Sequence, residues 1–483
     1  MPQRPFTRDQ TFLLPPSLDD WVPRTHPVRF VAAWLDDLDG EDWAALGIVL
    51  TPASQGEARY APPALLAIWV YGFMTGVRSS RALETACRDQ VPFRWLSGNQ
   101  TPDHNTLWRF YQCHRPQFHH LFHHSVRLAV EADLVDWAIQ AVDGTKLQAN
   151  AAGDRMCDAA ALAVLAARVD TAIADLEAQD GGERQGPPDL PAALGELVAL
   201  QDRIRQAETR LAEGRTKANV TDPDAHQMTA KGVNRPAYNA QAVVAPVAST
   251  TDQGGRLIVA LALRTRADDH DILSALIAQA ADRTGQVATV TVADAGYYSG
   301  TDLAACAALE ASVVIPEPRL RREDDPYSPR AFIHDPGTGT LTCPEGITLT
   351  RWGTPDPGKD ARYAAPATAC RVCPAKAACC PETTRGRVIV RAPAAAIRDA
   401  HRTWLASAEA QALGKRRKGL VEGVFGTLKT RHGARQVLLR GLANVQAEWT
   451  LLATAFNLQT LFRAAQGRYG TPVTSLAEHP APA

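Results

Sequence analysis

The sequence predicts an α/β protein, a mixed sheet with inserts, preceded by an all-helical N-terminal domain. Three observations carry this. Between residues 62 and 135 apolar residues recur three and four apart, as in Ala64-Leu65-Leu66-Ala67-Ile68-Trp69 and again over 121–132, the period of a helix. At WAIQAVD (137–143) the pattern changes to an apolar run of strand length that ends on an acid. From there to residue 315 the order is strand, strand, strand, helix, strand, helix, strand, the succession of a mixed α/β sheet.

Taken in order, residues 1–60 are Pro-rich and irregular, with one helix expected around 28–38. Residues 61–135 form the helical unit. Two polar entries interrupt it, RSSR (78–81) and TPDHNT (101–106), and the second reads as an N-cap ahead of a helix starting near Thr106. Several helices with scattered arginines suit a helix-turn-helix-type DNA reader, which makes this unit the expected DNA-binding domain. Residues 136–315 supply the first part of the core, with strands at 137–143, 238–247 and 257–264. A helix over 271–283, a buried-type strand over 287–293, a short helix near 303–309 and a strand at 311–315 complete that part. An Ala-rich helical excursion over 158–212, within an insert spanning 155–230, is itself broken by a loop at 181–191. A Pro-, Gly- and Cys-rich insert over 316–400 follows. Helices over 401–465 then finish the core, and 466–483 read as a flexible tail.

Bulk properties bound the function. The 483 residues exceed one ordinary core, so two or three structural units are expected. Hydrophobic residues at 45% and charged residues at 21% are ordinary for a globular chain. No apolar run approaches the roughly 20 residues of a membrane span, and MPQRPFTRDQ lacks the layout of a secretory signal, so a cytoplasmic location is the expectation. The net charge of −1 points to no partner, but its distribution does. Residues 1–60 carry five Arg against nine acids, whereas residues 385–440 carry thirteen Lys or Arg against three. The second region is a compact basic footprint suited to phosphate backbones, or else a solvated basic face.

The candidate chemistry begins with acids on the sheet. Asp143 and Asp294 each follow apolar strand positions, where a rigid element aims a carboxylate into the crevice used for ligands. Two such groups repel unless a cation sits between them. Each taken alone also reads as the cap of a turn. Glu422 lies in GLVEGVFGTLK (419–429), where Leu420, Val424 and Leu428 form an apolar stripe. Glu422 stands beside that stripe, about 100° from Val421, and Lys429 returns to the same side about two turns later.

The blocks DGTKLQANA (143–151), YNAQ (238–241), ADAGYYS (293–299) and VEGVFGTLK (421–429) resemble the catalytic blocks of DDE transposases from bacterial insertion sequences. The resemblance extends to RSSRALE (78–84), PDHNTLWRF (102–110), DPDAHQM (222–228) and RGL (440–442), in the family's order. It implies a ribonuclease H-like core in which Asp143, Asp294 and Glu422 are catalytic and hold two Mg²⁺ (or Mn²⁺) ions. It implies cleavage at the ends of the element to leave a 3′-OH and transfer of that 3′-OH to target DNA; because two ends must be brought together, a homodimer on DNA is expected from that reaction. Two ions suit both steps of an in-line displacement. Similar chains carry an Arg four residues before the Glu and a Tyr three residues earlier; here Lys418 and Lys415 stand there. The expected DNA contacts are Arg78, Arg81 and Arg109, the run Lys415-Arg416-Arg417-Lys418, and Lys429. A catalytically inactive DNA-binding relative and a nuclease without strand transfer are the alternatives.

Five of nine cysteines crowd into residues 343–380. Cys343, Cys370, Cys373 and Cys379 form a four-thiolate set, with CRVCP resembling a zinc knuckle; this leaves open a structural Zn²⁺ or reduced thiols in a loop-rich subdomain. His119, His120, His123 and His124 include i,i+4 pairs, and no role is assigned to them.

Overall fold

A computed structural model describes residues 17–50, 59–179, 192–230, 232–251, 254–318, 325–353 and 359–470. The loop expected at 181–191 and the tail from 471 onward lie outside the described residues. The chain forms two compact units. The first comprises residues 1–268, 276–289 and 418–483, and the second 269–275 and 290–417.

The first unit opens with helices. Residues 17–50 contain Leu18–Trp21, Pro27–Asp36 and Gly40–Ala45 rather than one helix in irregular chain. Serine and aspartate caps explain two of them: Ser17 and Asp39 each accept from the backbone three residues on or nearby and complete capping boxes. Pro62–Thr75 has every residue from Leu65 to Met74 buried, as expected of a helix apolar on all sides. It packs against Leu442–Ala465, a second helix buried along most of its length. Gly76 ends the first of these in the left-handed region at φ 84°, and a Cβ there would meet the Arg431 carbonyl at 2.8 Å. Ser79 caps Ser80–Asp89, and Asp103 caps His104–His114 by accepting from Asn105 N at 2.8 Å and Thr106 N at 3.0 Å. The expected N-cap is therefore Asp103, with the helix beginning two residues earlier than Thr106.

The strands of this unit are antiparallel. β1 (Gln140–Gln148) pairs with β3 (Val233–Pro246), which also pairs with β2 (His226–Ala230) and β4 (Arg256–Arg264). β3 is buried continuously from Pro236 to Ala245, as a strand flanked on both sides must be. The register places Asp143 opposite Ala242 and Gly144 opposite Gln241. The Ala-rich excursion is a helical pair, Ala159–Gln179 and Ala192–Ala212, closed on its own core of Leu162, Val169, Ile204 and Val220.

In the second unit, β5 (Val290–Val292) and β6 (Ser312–Val314) pair in parallel and are linked through helix Gly300–Ala308. Antiparallel strands in one unit and a parallel pair in the other, behind an all-helical region, give the α/β, ribonuclease H-like class expected. The Cys-rich insert departs from a loop-rich subdomain. It is a five-stranded antiparallel sheet, with β7 (Ile333–Asp335), β8 (Thr340–Thr342), β9 (Thr348–Trp352), β10 (Ala361–Ala364) and β11 (Val388–Arg391) in sequential order. Its strands are only three to five residues long, too short for composition to reveal, yet Thr-Leu-Thr in β8 and β9 alternates as a half-buried strand does. Leu341 and Leu349 are fully buried there against Phe332, Tyr363 and Ile389.

Candidate active site

Asp143 sits within β1, not at its end. The Asp-Gly pair invites a turn, but the strand runs on for five residues to Gln148. The physical reason is local. Gly144 carries no side chain, and a Cβ there would lie 2.5 Å from Gln241 Nε2 and 3.0 Å from Asn239 Oδ1. Both polar side chains are fully buried and cross the strand at the space glycine leaves. The half-buried Asp143 carboxylate accepts from Gly144 N–H at 2.8 Å.

The other motif blocks of the first unit brace this strand. Asn150 Nδ2 donates to Leu438 O at 2.6 Å, and Arg440 Nε donates to Asn150 O at 2.9 Å. Buried Asp222 accepts from Tyr238 Oη at 2.7 Å and Gly441 N at 3.2 Å, while Asp224 accepts from Leu442 N at 2.7 Å. Burial raises the Asp222 carboxyl above the usual range, and the Tyr238 hydrogen bond opposes that shift. DGTKLQANA, DPDAHQM, YNAQ and RGL thus form one hydrogen-bonded assembly. Its acids Asp222 and Asp224 serve as braces.

Asp294, in the second unit, follows β5 and caps the turn Ala295–Tyr297 by accepting from Gly296 N at 2.8 Å. Gly296 again leaves an opening. A Cβ there would lie 2.9 Å from Asp294 Oδ1 and 3.4 Å from Asp269 Oδ2, so two half-buried carboxylates converge over one glycine. Asp269 is a site candidate that sequence reasoning missed, because ADDHD (267–271) reads only as a polar loop ahead of a helix. Behind it, Asp302 is 1% exposed and accepts from Ser274 N at 3.0 Å and Ser274 Oγ at 2.7 Å, fixing the loop that holds Asp269.

Glu422 lies on helix Ala408–Thr430, whose buried face is Leu420, Val421, Val424, Phe425 and Leu428. The expected stripe is present, and Glu422 stands outside it with its side chain 65% exposed, 3.7 Å from Lys418 Nζ. Arg256 of β4 reaches this helix, its Nε donating to Gly419 O at 2.9 Å, and a Cβ on Gly423 would meet its Nη1 at 3.5 Å. Asp143 and Glu422 belong to the first unit and Asp294 to the second. Among the described residues, no group of three or more His, Cys, Asp or Glu side chains is close enough to hold a metal ion.

The basic residues divide. Arg78 is committed inside the first unit: its side chain is 7% exposed, Nη1 lies 2.7 Å from Glu448 Oε1, and Nη2 donates to Gln436 O at 3.1 Å. The expected DNA contact at Arg78 is thus a guanidinium already engaged inside the first unit. A polar entry between helices had given no hint of a buried acid 370 residues away. Arg81, Arg109, Lys415, Arg416 and Lys418 are exposed, and Arg417 and Lys429 are half-buried.

In the Cys-rich sheet, Cys343, Cys370, Cys373, Cys379 and Cys380 line one cavity of about 20 Å³. Cys343 opens a tight turn in which Ile347 N–H donates to its Sγ at 3.2 Å, and Cys373 N–H donates to Cys370 O at 3.4 Å. Burial, with Cys380 beside it, pushes the Cys379 thiol up to about 11. Among the four histidines, His123 Nε2 accepts from Arg283 and His124 is buried against Trp34.

Comparison with protein families gives two matches. Residues 16–113 match the family described as Transposase domain (DUF772), and residues 342–462 match the Transposase DDE domain. The first span contains Arg78, Arg81 and Arg109; the second contains the five clustered cysteines and Glu422. No match was found among curated proteins.

Proposed function

The chain belongs to the insertion-sequence DDE transposases, and on that premise we propose that it binds the ends of its element, cuts there, and joins the freed 3′ end to target DNA. The observation that carries the catalytic reading is the placement of Asp143 and Asp294. Each is half-buried, Asp143 within a core strand and Asp294 two residues after one, and each carboxylate accepts from the N–H of a nearby glycine.

Asp143, Asp294 and Glu422 are the proposed catalytic set, with Asp269 beside Asp294. Hard carboxylate oxygens on rigid elements suit Mg²⁺ or Mn²⁺, which keep several waters and accept phosphate oxygens as the remaining ligands. Two such ions, when bound, supply Lewis-acid activation of the phosphodiester and of the attacking and leaving oxygens. The residues' own part is to hold these carboxylates in place. Gln241 and Asn239 pack over Gly144 in the strand that carries Asp143, Gly296 N–H fixes one oxygen of Asp294, and Ser274 with Asp302 fixes the Asp269 loop. Lys418, at the place of an Arg in similar chains, stands 3.7 Å from Glu422 one helical turn away, with both side chains largely exposed. Arg81, Arg109, Lys415, Arg416, Arg417, Lys418 and Lys429 are the proposed DNA contacts. A homodimer on DNA follows from the need to act on two ends, in the cytoplasm where the element resides.

For the cysteines the reading is a structural zinc held by Cys343, Cys370, Cys373 and Cys379, with Cys380 in reserve. It is supported by the thiols lining one cavity and by the N–H donated to Cys343 Sγ, and it requires those thiols to close in, since among the described residues no three of them stand near enough to hold an ion. Zinc there would tie the turn before β9 to the segment between β10 and β11.

The exposure of Glu422 favours a second reading, a DNA-binding relative that does not cleave. Strand transfer from pre-cut element ends separates the readings. The proposed transposase joins them to a target plasmid with Mg²⁺ or Mn²⁺, a nuclease degrades without joining, and a binding protein does neither.

A further inference from the structure

A cavity of about 430 Å³ opens in the first unit, away from the carboxylates described above. It lies between the start of helix His119–Glu131, the end of helix Leu273–Thr284 and the first turns of Leu442–Ala465. Its polar lining includes Arg115, His119, Gln279, Arg283 and Gln446, and no Asp or Glu is among its lining residues.

Arg283 is the telling member. Its Nε donates to His123 Nε2 at 2.8 Å, and its guanidinium carbon stands 5.0 Å from the centre of the Phe122 ring. Its Nη1 is buried and has no hydrogen-bond partner among the described residues. Burial lowers Arg283 to about 10, opposed only by the charge of Asp282. Burial, and then the charge of Arg283, push His123 down to about 4, so its imidazole is neutral and accepts the Nε bond without supplying a counter-charge. A guanidinium taken out of water needs an anion or a full set of acceptors, and among the described residues Arg283 has the nearby charge of Asp282 but makes no ion pair and leaves Nη1 without an acceptor. Arg283 and Arg115 both line the cavity, and guanidinium groups suit phosphate oxygens there.

We infer that this cavity is a phosphate-binding pocket in which Arg283 and Arg115 clamp one phosphate group. The volume falls in the range of small-ligand sites, and its partly open form admits either a phosphate on a DNA backbone or a free phosphate. Gln279 does not fill the role itself, since its side-chain oxygen already accepts from Leu261 N at 3.1 Å.

The test uses the full chain and needs no cleavage, so its failure is distinct from failure of the catalytic reading. Thermal melts are recorded with and without inorganic phosphate, against chloride at matched ionic strength, for wild type, Arg283→Gln and Arg115→Gln. The salt dependence of binding to an end-sequence duplex is measured on the same proteins. Arg115 is half-buried at the surface, so its variant keeps the test open if Arg283→Gln fails to fold. The proposal requires that phosphate raises the wild-type melting temperature and that the variants lose that rise. If the pocket takes a DNA phosphate, each variant also reduces the magnitude of the log–log salt slope, by at most about 0.9 for that one phosphate. An unchanged slope with the phosphate rise lost assigns the pocket to free phosphate. Absence of a phosphate effect on wild type, or its full retention in both variants, overturns the proposal.

Discussion

At the scale of single residues, glycine explains more of the candidate site than the acids do. Asp143 and Asp294 are each followed, one or two positions on, by a glycine whose missing Cβ makes room for Gln241 or for converging carboxylates. The blocks DGTKLQANA and ADAGYYS were legible as chemistry, but their backbone was misread at Asp143, because Asp-Gly signals a turn equally well in isolation. Asp269 was invisible for a related reason, since a carboxylate near a distant glycine leaves no spacing in the sequence. Arg78 shows the converse, a basic residue in a polar stretch that is buried against Glu448. Breaking a buried ion pair leaves one charge uncompensated, at a cost of about 3–5 kcal/mol. Arg78→Ala and Glu448→Ala are therefore expected to lose stability of that order in denaturant melts. A loss within the ~0–1 kcal/mol of a surface pair would show that Arg78 is free to meet DNA.

At the scale of elements, long periodic segments were readable and short ones were not. The helices over 62–135 and the Ala-rich pair announce themselves by period, as does the stripe Leu420–Leu428 on the Glu422 helix. The five strands between 333 and 391 did not, since runs of three to five residues among prolines and glycines carry too few alternations to stand out. With that sheet in place, the cysteines acquire a setting: Cys370 belongs to its core, and Cys343 and Cys379 pack against it. The zinc reading predicts about one zinc per chain by atomic absorption. A strong chelator is expected to release it and lower the melting temperature, with Cys370→Ser reproducing both effects. A chain purified without zinc that neither takes up the metal nor gains stability from it would leave reduced thiols as the answer.

At the scale of the whole molecule, the family and class were legible because many blocks occur in one order, and several of those blocks meet in the structure. DPDAHQM and RGL meet through Asp222 and Asp224, and Asp222 also accepts from Tyr238 of β3, the strand paired with β1. The histidines give a global expectation. Burial is the first cause lowering His123, His124, His401 and His432 below the ordinary value, with His123 near 4. In the unfolded chain these groups take up protons near pH 6.5, and in the folded chain only at lower pH. Stability from them is thus fully present above about pH 6.5 and is lost as the pH falls from there towards 4. Melting temperatures should therefore drop between pH 7 and pH 5 at fixed ionic strength. A flat profile across that window would show these imidazoles reach water in the folded state.

The central proposal is that Asp143, Asp294 and Glu422 are each required for metal-dependent cleavage of DNA. The most direct test is metal-dependent cleavage of a duplex carrying the element's own ends, comparing wild type with Asp143→Asn, Asp294→Asn and Glu422→Gln. The expected result is cleavage by wild type with Mg²⁺ or Mn²⁺, loss of at least about 10²-fold in each variant, consistent with removal of an electrostatic catalytic group, and binding to the ends retained in all four. Cleavage that survives Glu422→Gln unchanged, or wild type that binds the ends and never cuts, would contradict the claim.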